Sequence, residues 1–502
     1  MRRLTGGLQT YWHSVSYILA MCLGATTVLA FAPYHLSWIA VITLAILFAQ
    51  ITQATTVWQA AGIGYAYGLG LFGVGIAWLR ISIAQFGGIG LEIAWIATLL
   101  FIAVASGYIA LFAGIVRYLA DRIRPLFIML WVAPGLWVGV EILRSELFTG
   151  FPWLVIGYSQ SDSLLAGYAP LIGVLGISAM LALSAGLLNY WRKPLSWFCL
   201  AIIWGLGAGL EQVTWTTPVG EPIQVSLIQG NIAQKDKWQP TWYDETLRRY
   251  RSMTEQVPKS RLVVWPETAI PAFDTQVEQT VLQPLHQRLQ AQQRDLLTGV
   301  VVKKPDGRYY NAMVSLGHSG QDAYFKRHLV PFGEYLPWKP WLGPLFDFLQ
   351  IPMSNFSAGT ADHPVLKLAG HLAGIDICYE DAFAREVMRA LPAAGYLVNA
   401  SNDAWFGDSL APHQHLQIAR MRAKETERYL LRSTNTGISA IIDPKGRIQN
   451  SAAQFEQAIV TGKIHARQGA TPYVYWGDWP VYGLLLLALL VALRLYTKAL
   501  DR

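Results

Sequence analysis

Arg261-Leu262-Val263-Val264-Trp265-Pro266-Glu267 is an apolar run of strand length that stops at a proline and a carboxylate. Such a run fits a strand buried on both faces, and a polar group at its end stands where α/β sheets build their sites. Two other stretches share the pattern. Gly374-Ile375-Asp376-Ile377-Cys378-Tyr379-Glu380 ends a strand in a thiol, and Tyr324-Phe325-Lys326-Arg327-His328-Leu329-Val330-Pro331-Phe332-Gly333-Glu334-Tyr335 places a lysine in a loop. A carboxylate, an ammonium and a thiol delivered to one sheet edge could form one site.

Around these stretches, strand-like segments at 223–231, 261–267, 296–302, 311–316, 371–380, 396–403 and 437–443 alternate with helical patterns at 241–256, 276–292 and 411–431. The alternation predicts an α/β layered domain over 212–475. No internal repeat or low-complexity tract interrupts it.

The flanks differ in kind. Across 502 residues, 53% are hydrophobic and 14% charged, and the mean hydropathy is +0.31, too apolar for an ordinary soluble chain of this size. Seven apolar runs, near 15–33, 37–52, 58–80, 90–117, 125–143, 165–190 and 195–211, predict a transmembrane domain over 1–211. One more, from Val481 to about Tyr496, predicts an eighth span within 476–502 and a short basic tail. The first run follows Arg2 and Arg3 but lacks a convincing small-residue cleavage site, so it reads as a retained anchor.

Charge decides orientation. With a cytoplasmic N-terminus, that side receives Arg2, Arg3, Arg117, Arg122, Arg124, Arg192, Lys193, Arg494, Lys498 and Arg502, against Arg80 and Arg144 outside. Seven crossings then put the 212–475 domain on the far side, the periplasm for a bacterial chain, and both termini in the cytoplasm. The formal charge of +7 sits largely at the ends of apolar runs, so topology explains it and no nucleic-acid partner is expected.

Cys22 and Cys199 fall in apolar runs, leaving Cys378 alone in the polar part of the chain, which excludes a structural disulfide there. A lone cysteine is inert core or a nucleophile, and an unpaired one is odder in an oxidising compartment. A thiol must lose its proton to attack a carbonyl, and a desolvated carboxylate such as Glu267 is a suitable base. Lys326 can then hold the oxyanion that forms while keeping two carboxylates apart; removing such a donor costs roughly 2.7–4 kcal/mol. Taken singly, a strand-end glutamate is usually solvated, a loop lysine usually at the surface and a strand cysteine usually core. Their wording changes that balance.

Glutamate in WPE, lysine in a YxKxxLVPFGE context and cysteine before Tyr-Glu resemble the nitrilase superfamily. The fuller wording, VSLIQGNIAQKDKW, VVWPETAIP, KRHLVPFGEYLP, GIDICYED and VNASNDAWFG, with GFPWLVIGYSQ at 150–160 and the order of seven spans, ectodomain and one span, resembles the apolipoprotein N-acyltransferase family over nearly the whole chain. The resemblance implies a polytopic α-helical inner-membrane domain of eight spans carrying a nitrilase-type αββα sandwich. It implies Glu267 as general base, Lys326 as oxyanion stabiliser, Cys378 as nucleophile and Glu334 as supporting acid, with Trp238, Tyr379 and Glu380 around the pocket. The implied reaction moves the sn-1 acyl chain of a phospholipid, as from phosphatidylethanolamine, through a Cys378 thioester to the α-amine of a diacylglyceryl apolipoprotein. No cofactor is implied.

Leu336-Pro337-Trp338-Lys339-Pro340-Trp341-Leu342-Gly343-Pro344-Leu345-Phe346-Asp347-Phe348-Leu349 mixes aromatic, apolar and helix-breaking residues as interfacial segments do. Trp338, Trp341 and Phe346 are expected in a lid facing the membrane, with Trp405 and Phe406 lining the same entrance; the alternative is a loop packed on the core. Gly68-Leu69-Gly70-Leu71-Phe72-Gly73 matches a dinucleotide fingerprint, yet it lies in a membrane run where close helix packing explains it. His413 and His415 lack metal-ligand spacing and read as surface or local hydrogen-bonding groups. Glu92 and Glu141 within apolar runs mark a helix pair or a headgroup contact.

Two other functions fit parts of the pattern. A membrane-tethered amidase would use the same three residues with water as second nucleophile, and would release free fatty acid. A lipid- or lipoprotein-binding membrane protein would keep its full activity in a Cys378→Ala variant.

Overall fold

The computed structural model describes residues 2–86, 90–337, 355–360 and 365–500, and the chain divides into two compact units. The first comprises Met1–Arg80, Leu91–Val213 and Trp476–Arg502; the second comprises Ile81–Gly90 and Thr214–Tyr475.

The first unit is helical, with α1 (Arg2–Thr27), α2 (Trp38–Gln53), α3 (Val57–Gly75), then α4 (Leu79–Phe86) at its boundary, α5 (Leu91–Ala120), α6 (Ala133–Glu146), α7 (Ala169–Leu188), α8 (Pro194–Glu211) and a C-terminal helix Trp479–Leu500. Among the described residues, five segments, Leu91–Ala120, Pro125–Thr149, Leu164–Leu188, Pro194–Glu211 and Trp479–Thr497, are long and apolar enough to cross a bilayer. Joining α3 to its broken continuation makes six, and Ser14–Ala30 and Trp38–Gln53 are apolar but shorter, so length and composition alone do not reach the expected eight. The 16 residues of α2 rise about 24 Å, against about 30 Å of hydrocarbon.

Small residues bring α1, α3 and α5 together. A Cβ on Gly70 would lie 1.9 Å from the Met21 carbonyl oxygen, and one on Gly68 would lie 2.7 Å from Ser106 Cα. Helix packing thus accounts for two glycines of the 68–73 pattern, while Gly73 has nothing within 4 Å.

Between α6 and α7 the chain breaks into short turns over 150–163. Buried backbone outside a helix needs other partners. Here α6 supplies them: Arg144 Nη1 donates to the carbonyls of Phe151, at 2.6 Å, and Trp153, while Ile156 N donates to Glu141 Oε1 at 2.7 Å. Glu141 also accepts from Trp137 Nε1 at 3.2 Å, so its carboxylate serves the chain's own backbone and indole. Glu92 stands in the first turn of α5, where negative charge suits the helix dipole.

The second unit contains β1 (Thr216–Gln229), β2 (Leu262–Val264), β3 (Ile270–Phe273), β4 (Asp295–Lys303), β5 (Tyr309–Gly317), β6 (Asp322–Phe325), β7 (Val365–Leu368), β8 (His371–Ile377), β9 (Tyr396–Ser401), β10 (Leu430–Thr434), β11 (Ala440–Ile442), β12 (Ile448–Ser451) and β13 (Ala458–Gly469). One sheet runs β13-β1-β2-β4-β5-β6 with β3 beside β4, and the other runs β12-β11-β10-β9-β8-β7. β1, β2 and β4 are parallel in the first, β8, β9 and β10 in the second.

Alternation along the strands assigns the layers. Ile223, Val225 and Leu227 of β1 meet Ala373, Ile375 and Ile377 of β8 and Tyr396 and Val398 of β9 in a core between the sheets. Val263 and Ile228 turn the other way, onto Leu247 and Tyr250 of α9 (Pro240–Glu255) and Leu285 and Leu289 of α10 (Gln283–Ala291). Leu397 packs on Leu416, Ala419 and Ala423 of α11 (Ala411–Thr426). The result is a helix–sheet–sheet–helix sandwich.

α11 corrects the helix expected over 411–431. It stops at Thr426 because Glu427 takes a left-handed φ of +47°, and its Oε2 accepts from the backbone of Trp215 and Thr216 at 2.7 and 2.6 Å. Leu430 and Leu431, which extend the apolar pattern, belong to β10.

Candidate active site

Three strand ends converge on the inter-sheet core. Glu267 lies three residues beyond β2, Lys326 directly follows β6 and Cys378 directly follows β8. Cys378 has a φ of +53° and Thr268, beside Glu267, a φ of +46°, conformations that cost L-residues energy and recur where a side chain must be aimed.

All three side chains are buried: Glu267 is 7% exposed, Lys326 1% and Cys378 8%. Lys326 Nζ stands 2.9 Å from Glu334 Oε2 and 3.6 Å from Glu267 Oε1. Asn311 Nδ2 bridges the two carboxylates, donating to Glu267 Oε1 at 2.7 Å and Glu334 Oε1 at 2.9 Å. Val330 N donates to Glu334 Oε2 at 2.9 Å, which ties the loop to the same carboxylate.

Burial alone would lower the Lys326 ammonium, but the carboxylates of Glu334 and then Glu267 hold it well above the usual lysine range. The lysine is therefore a permanent cation. Burial, reinforced by the charge of Glu267, pushes the Cys378 thiol well up, with Lys326 opposing. At neutral pH the sulfur therefore keeps its proton, and any attack by it would require a base.

Glu380 is fully buried and fastens the lysine loop to the cysteine strand. Its carboxylate accepts from Arg327 N at 2.7 Å, His328 N at 3.1 Å, Ile377 N at 2.7 Å and Tyr324 Oη at 2.9 Å. Tyr379 is half-buried, its ring 5.1 Å from Phe383 and 6.0 Å from His328. Trp238 is 39% exposed. Trp405 and Phe406 are half-buried on a helical turn after Asn402, where Ser82 Oγ donates to the Trp405 carbonyl at 2.7 Å. Trp338, Trp341 and Phe346 lie outside the described residues.

Behind Cys378 stands a charged cluster that the sequence reading does not contain. His415, 1% exposed and so not at the surface, places Nε2 2.9 Å from Asp381 Oδ1 and 3.2 Å from the Cys378 carbonyl, and Nδ1 3.1 Å from Asp403 Oδ1. Arg432 meets Asp381 at 3.2 Å and Asp403 at 2.9 Å, and Asn399 Nδ2 donates to the Cys378 carbonyl at 3.1 Å. Burial and Arg432 would lower His415, but Asp381 and Asp403 raise it to about 9. Asp381 and Asp403 stood in plain view in CYED and SNDAWFG; their pairing with a histidine of α11 depends on the fold. Among the described residues, no group of three or more His, Cys, Asp or Glu side chains could hold a metal ion.

Two outcomes follow from this geometry. Glu380→Gln turns an acceptor towards backbone N–H groups into a donor, so the protein should lose about 1–3 kcal/mol of stability and form product at least tenfold more slowly, read by thermal melts and turnover; unchanged turnover would remove the fastening role. For His415, a folded-state value of about 9 against 6.5 means stability fully present below about pH 6.5 and lost as pH rises through 9. Melts at pH 7 and 9.5 should show a steeper alkaline loss in the wild type than in His415→Gln, and equal slopes would contradict the assignment.

The comparisons with known proteins cover both units. The family model described as the apolipoprotein N-acyltransferase N-terminal domain matches residues 23–187, and the carbon–nitrogen hydrolase model matches 224–473. The apolipoprotein N-acyltransferase of Nitrosomonas europaea is 45% identical over 484 residues, spanning 94% of this chain and 96% of its own. That of Methylococcus capsulatus is 45% identical over 477 residues, spanning 93% and 94%. That of Vibrio parahaemolyticus is 38% identical over 491 residues, spanning 95% and 96%. With a nitrilase-type sandwich, apolar helices that fit a membrane protein and this similarity end to end, the chain belongs to the apolipoprotein N-acyltransferase family.

Proposed function

We propose that the protein is a membrane acyltransferase of lipoprotein maturation working through a covalent thioester, with Cys378 as nucleophile, Glu267 as base, Lys326 as oxyanion stabiliser and Glu334 as the acid that supports the lysine. Similarity to named N-acyltransferases over 94% of the chain carries the reading, and the buried Glu267–Lys326–Glu334 set supports the roles. In the first step the Cys378 proton passes to Glu267 as sulfur attacks the sn-1 ester carbonyl of a phospholipid, phosphatidylethanolamine in this proposal. The oxyanion forms beside Lys326; the carbon–oxygen bond then breaks, and the departing lysophospholipid alkoxide takes the proton from Glu267. In the second step the α-amine of a diacylglyceryl-cysteine attacks the thioester and yields its proton to Glu267. The carbon–sulfur bond breaks, an amide remains, and the thiolate regains its proton.

Both substrates are anchored in a bilayer by long acyl chains, and the apolar helices of the same chain suit an enzyme that meets them there. The proposal further takes all eight apolar helices as spans, with 212–475 in the periplasm and both termini in the cytoplasm, on the Lys and Arg bias.

Intact-mass analysis after incubation with phosphatidylethanolamine bearing a distinct sn-1 chain should show that chain on Cys378, persisting until a diacylglyceryl-cysteine peptide arrives. Lys326→Met should lower the rate about 10²–10³-fold. Steady release of free fatty acid without acceptor would favour hydrolysis, and undiminished N-acylation by Cys378→Ala would sink the thioester. Protease added to spheroplasts should cleave the 214–475 unit and spare a tag placed after Arg502; the reverse pattern defeats the orientation.

A further inference from the structure

Lys237 closes the helical turn Gln234–Lys237 that follows β1. It is 3% exposed, and its Nζ donates to the Glu267 carbonyl at 3.1 Å and to Thr268 Oγ1 at 3.1 Å. Both acceptors are uncharged oxygens. Burying an ammonium is costly unless a charge elsewhere compensates it, and here desolvation brings Lys237 down to about 8 while the charge of Glu267 opposes that fall.

The peptide that receives these bonds is confined on its other side as well. A Cβ on Gly299 of β4 would lie 2.2 Å from Thr268 N and 2.6 Å from the Pro266 carbonyl oxygen, so the turn lies directly against bare backbone. Thr268, at a φ of +46°, is strained and keeps that conformation only because its surroundings hold it. The Glu267 turn is thus pinned between a glycine of β4 and the lysine ammonium. The next residue in the chain, Trp238, is exposed.

We propose that Lys237 is a positioning residue for the reaction, fixing the Glu267 turn against β4 and favouring the ionised, proton-accepting carboxylate of Glu267. The role rests on Glu267 being the base. The other charged or titratable groups facing that carboxylate are Lys326 at 3.6 Å, Glu334 through the shared Asn311 amide, and the Cys378 thiol. Lys237 is the member of this set that approaches from the backbone side of the turn.

The test follows single-turnover thioester formation on Cys378 of the full-length protein in mixed phospholipid–detergent micelles between pH 5 and 9. Lys237→Met keeps most of the stem and removes the charge. Its acidic limb should move to higher pH, so that thioester formation falls progressively further below wild type as the pH is lowered from 9 to 5, by up to about tenfold for a shift of about one pH unit, with KM for phospholipid unchanged. A purely structural lysine would lower the rate equally at every pH, and that result, or a wild-type profile, overturns the proposal. Should Lys237→Met not accumulate folded, Thr268→Val withdraws one acceptor and leaves the ammonium; a drop of about threefold in kcat at constant KM supports the role, and no change overturns it. Glu267→Gln separates the two readings. If it is inactive while Lys237→Met behaves as wild type, the role of Lys237 alone fails; if it is active, the assignment of the base fails first.

Discussion

An ammonium group removed from water must be met by opposite charge at close range, and the Lys326 side chain, 1% exposed, sets that demand at the centre of this protein. Glu334 and Glu267 answer it from two directions, and the Asn311 amide keeps both carboxylates aligned. Glu334 reaches its place only if the loop after β6 folds back, and Glu267 only if the turn after β2 takes a strained backbone. The ion set therefore dictates the local chain path. It also explains why the neighbouring thiol holds its proton at rest: in a buried place already supplied with carboxylates, a further anion is disfavoured.

The same rule of balance operates on the other side of Cys378. Asp381 and Asp403 face His415 and Arg432, two negative groups against two positive ones, all nearly inaccessible to water. From this cluster His415 reaches the Cys378 carbonyl, with Asn399 donating beside it. The Cys378 backbone is thus held by polar groups while its thiol feels the charges of Glu267 and Lys326. In a medium of low dielectric, two closed clusters cost less than scattered single charges.

Much of the second unit could be read from periodicity, because buried strands such as 262–264 and 396–401 are short apolar runs bounded by polar residues. Glu267 and Cys378 stood out since each follows such a run, and Lys326 through its YxKxxLVPFGE context. Elements that were not legible have physical reasons. β6 is four residues long and reads as part of the loop it precedes, and β10 continues the apolar pattern of α11 because Glu427 ends that helix through contacts 211 and 212 residues away. Nothing in the sequence marks Lys237, and of the two readings of His415, surface or local hydrogen-bonding group, the second holds; the burial of both exists only once β1, α11 and the turns carrying Glu267 and Cys378 are assembled. In the first unit, apolar runs were legible but span lengths were not, since the chain breaks helical geometry after Gly75 and again over 150–163.

Glu380 joins Tyr324, the Arg327–His328 backbone and Ile377 through a single carboxylate. The spacing between the Cys378 sulfur and the Lys326 ammonium is consequently an internal property of the sandwich, since Tyr324, Arg327, His328, Ile377 and Glu380 all belong to residues 214–475. Substitutions elsewhere on this unit that leave these four hydrogen bonds intact should therefore leave the geometry between sulfur and ammonium intact as well.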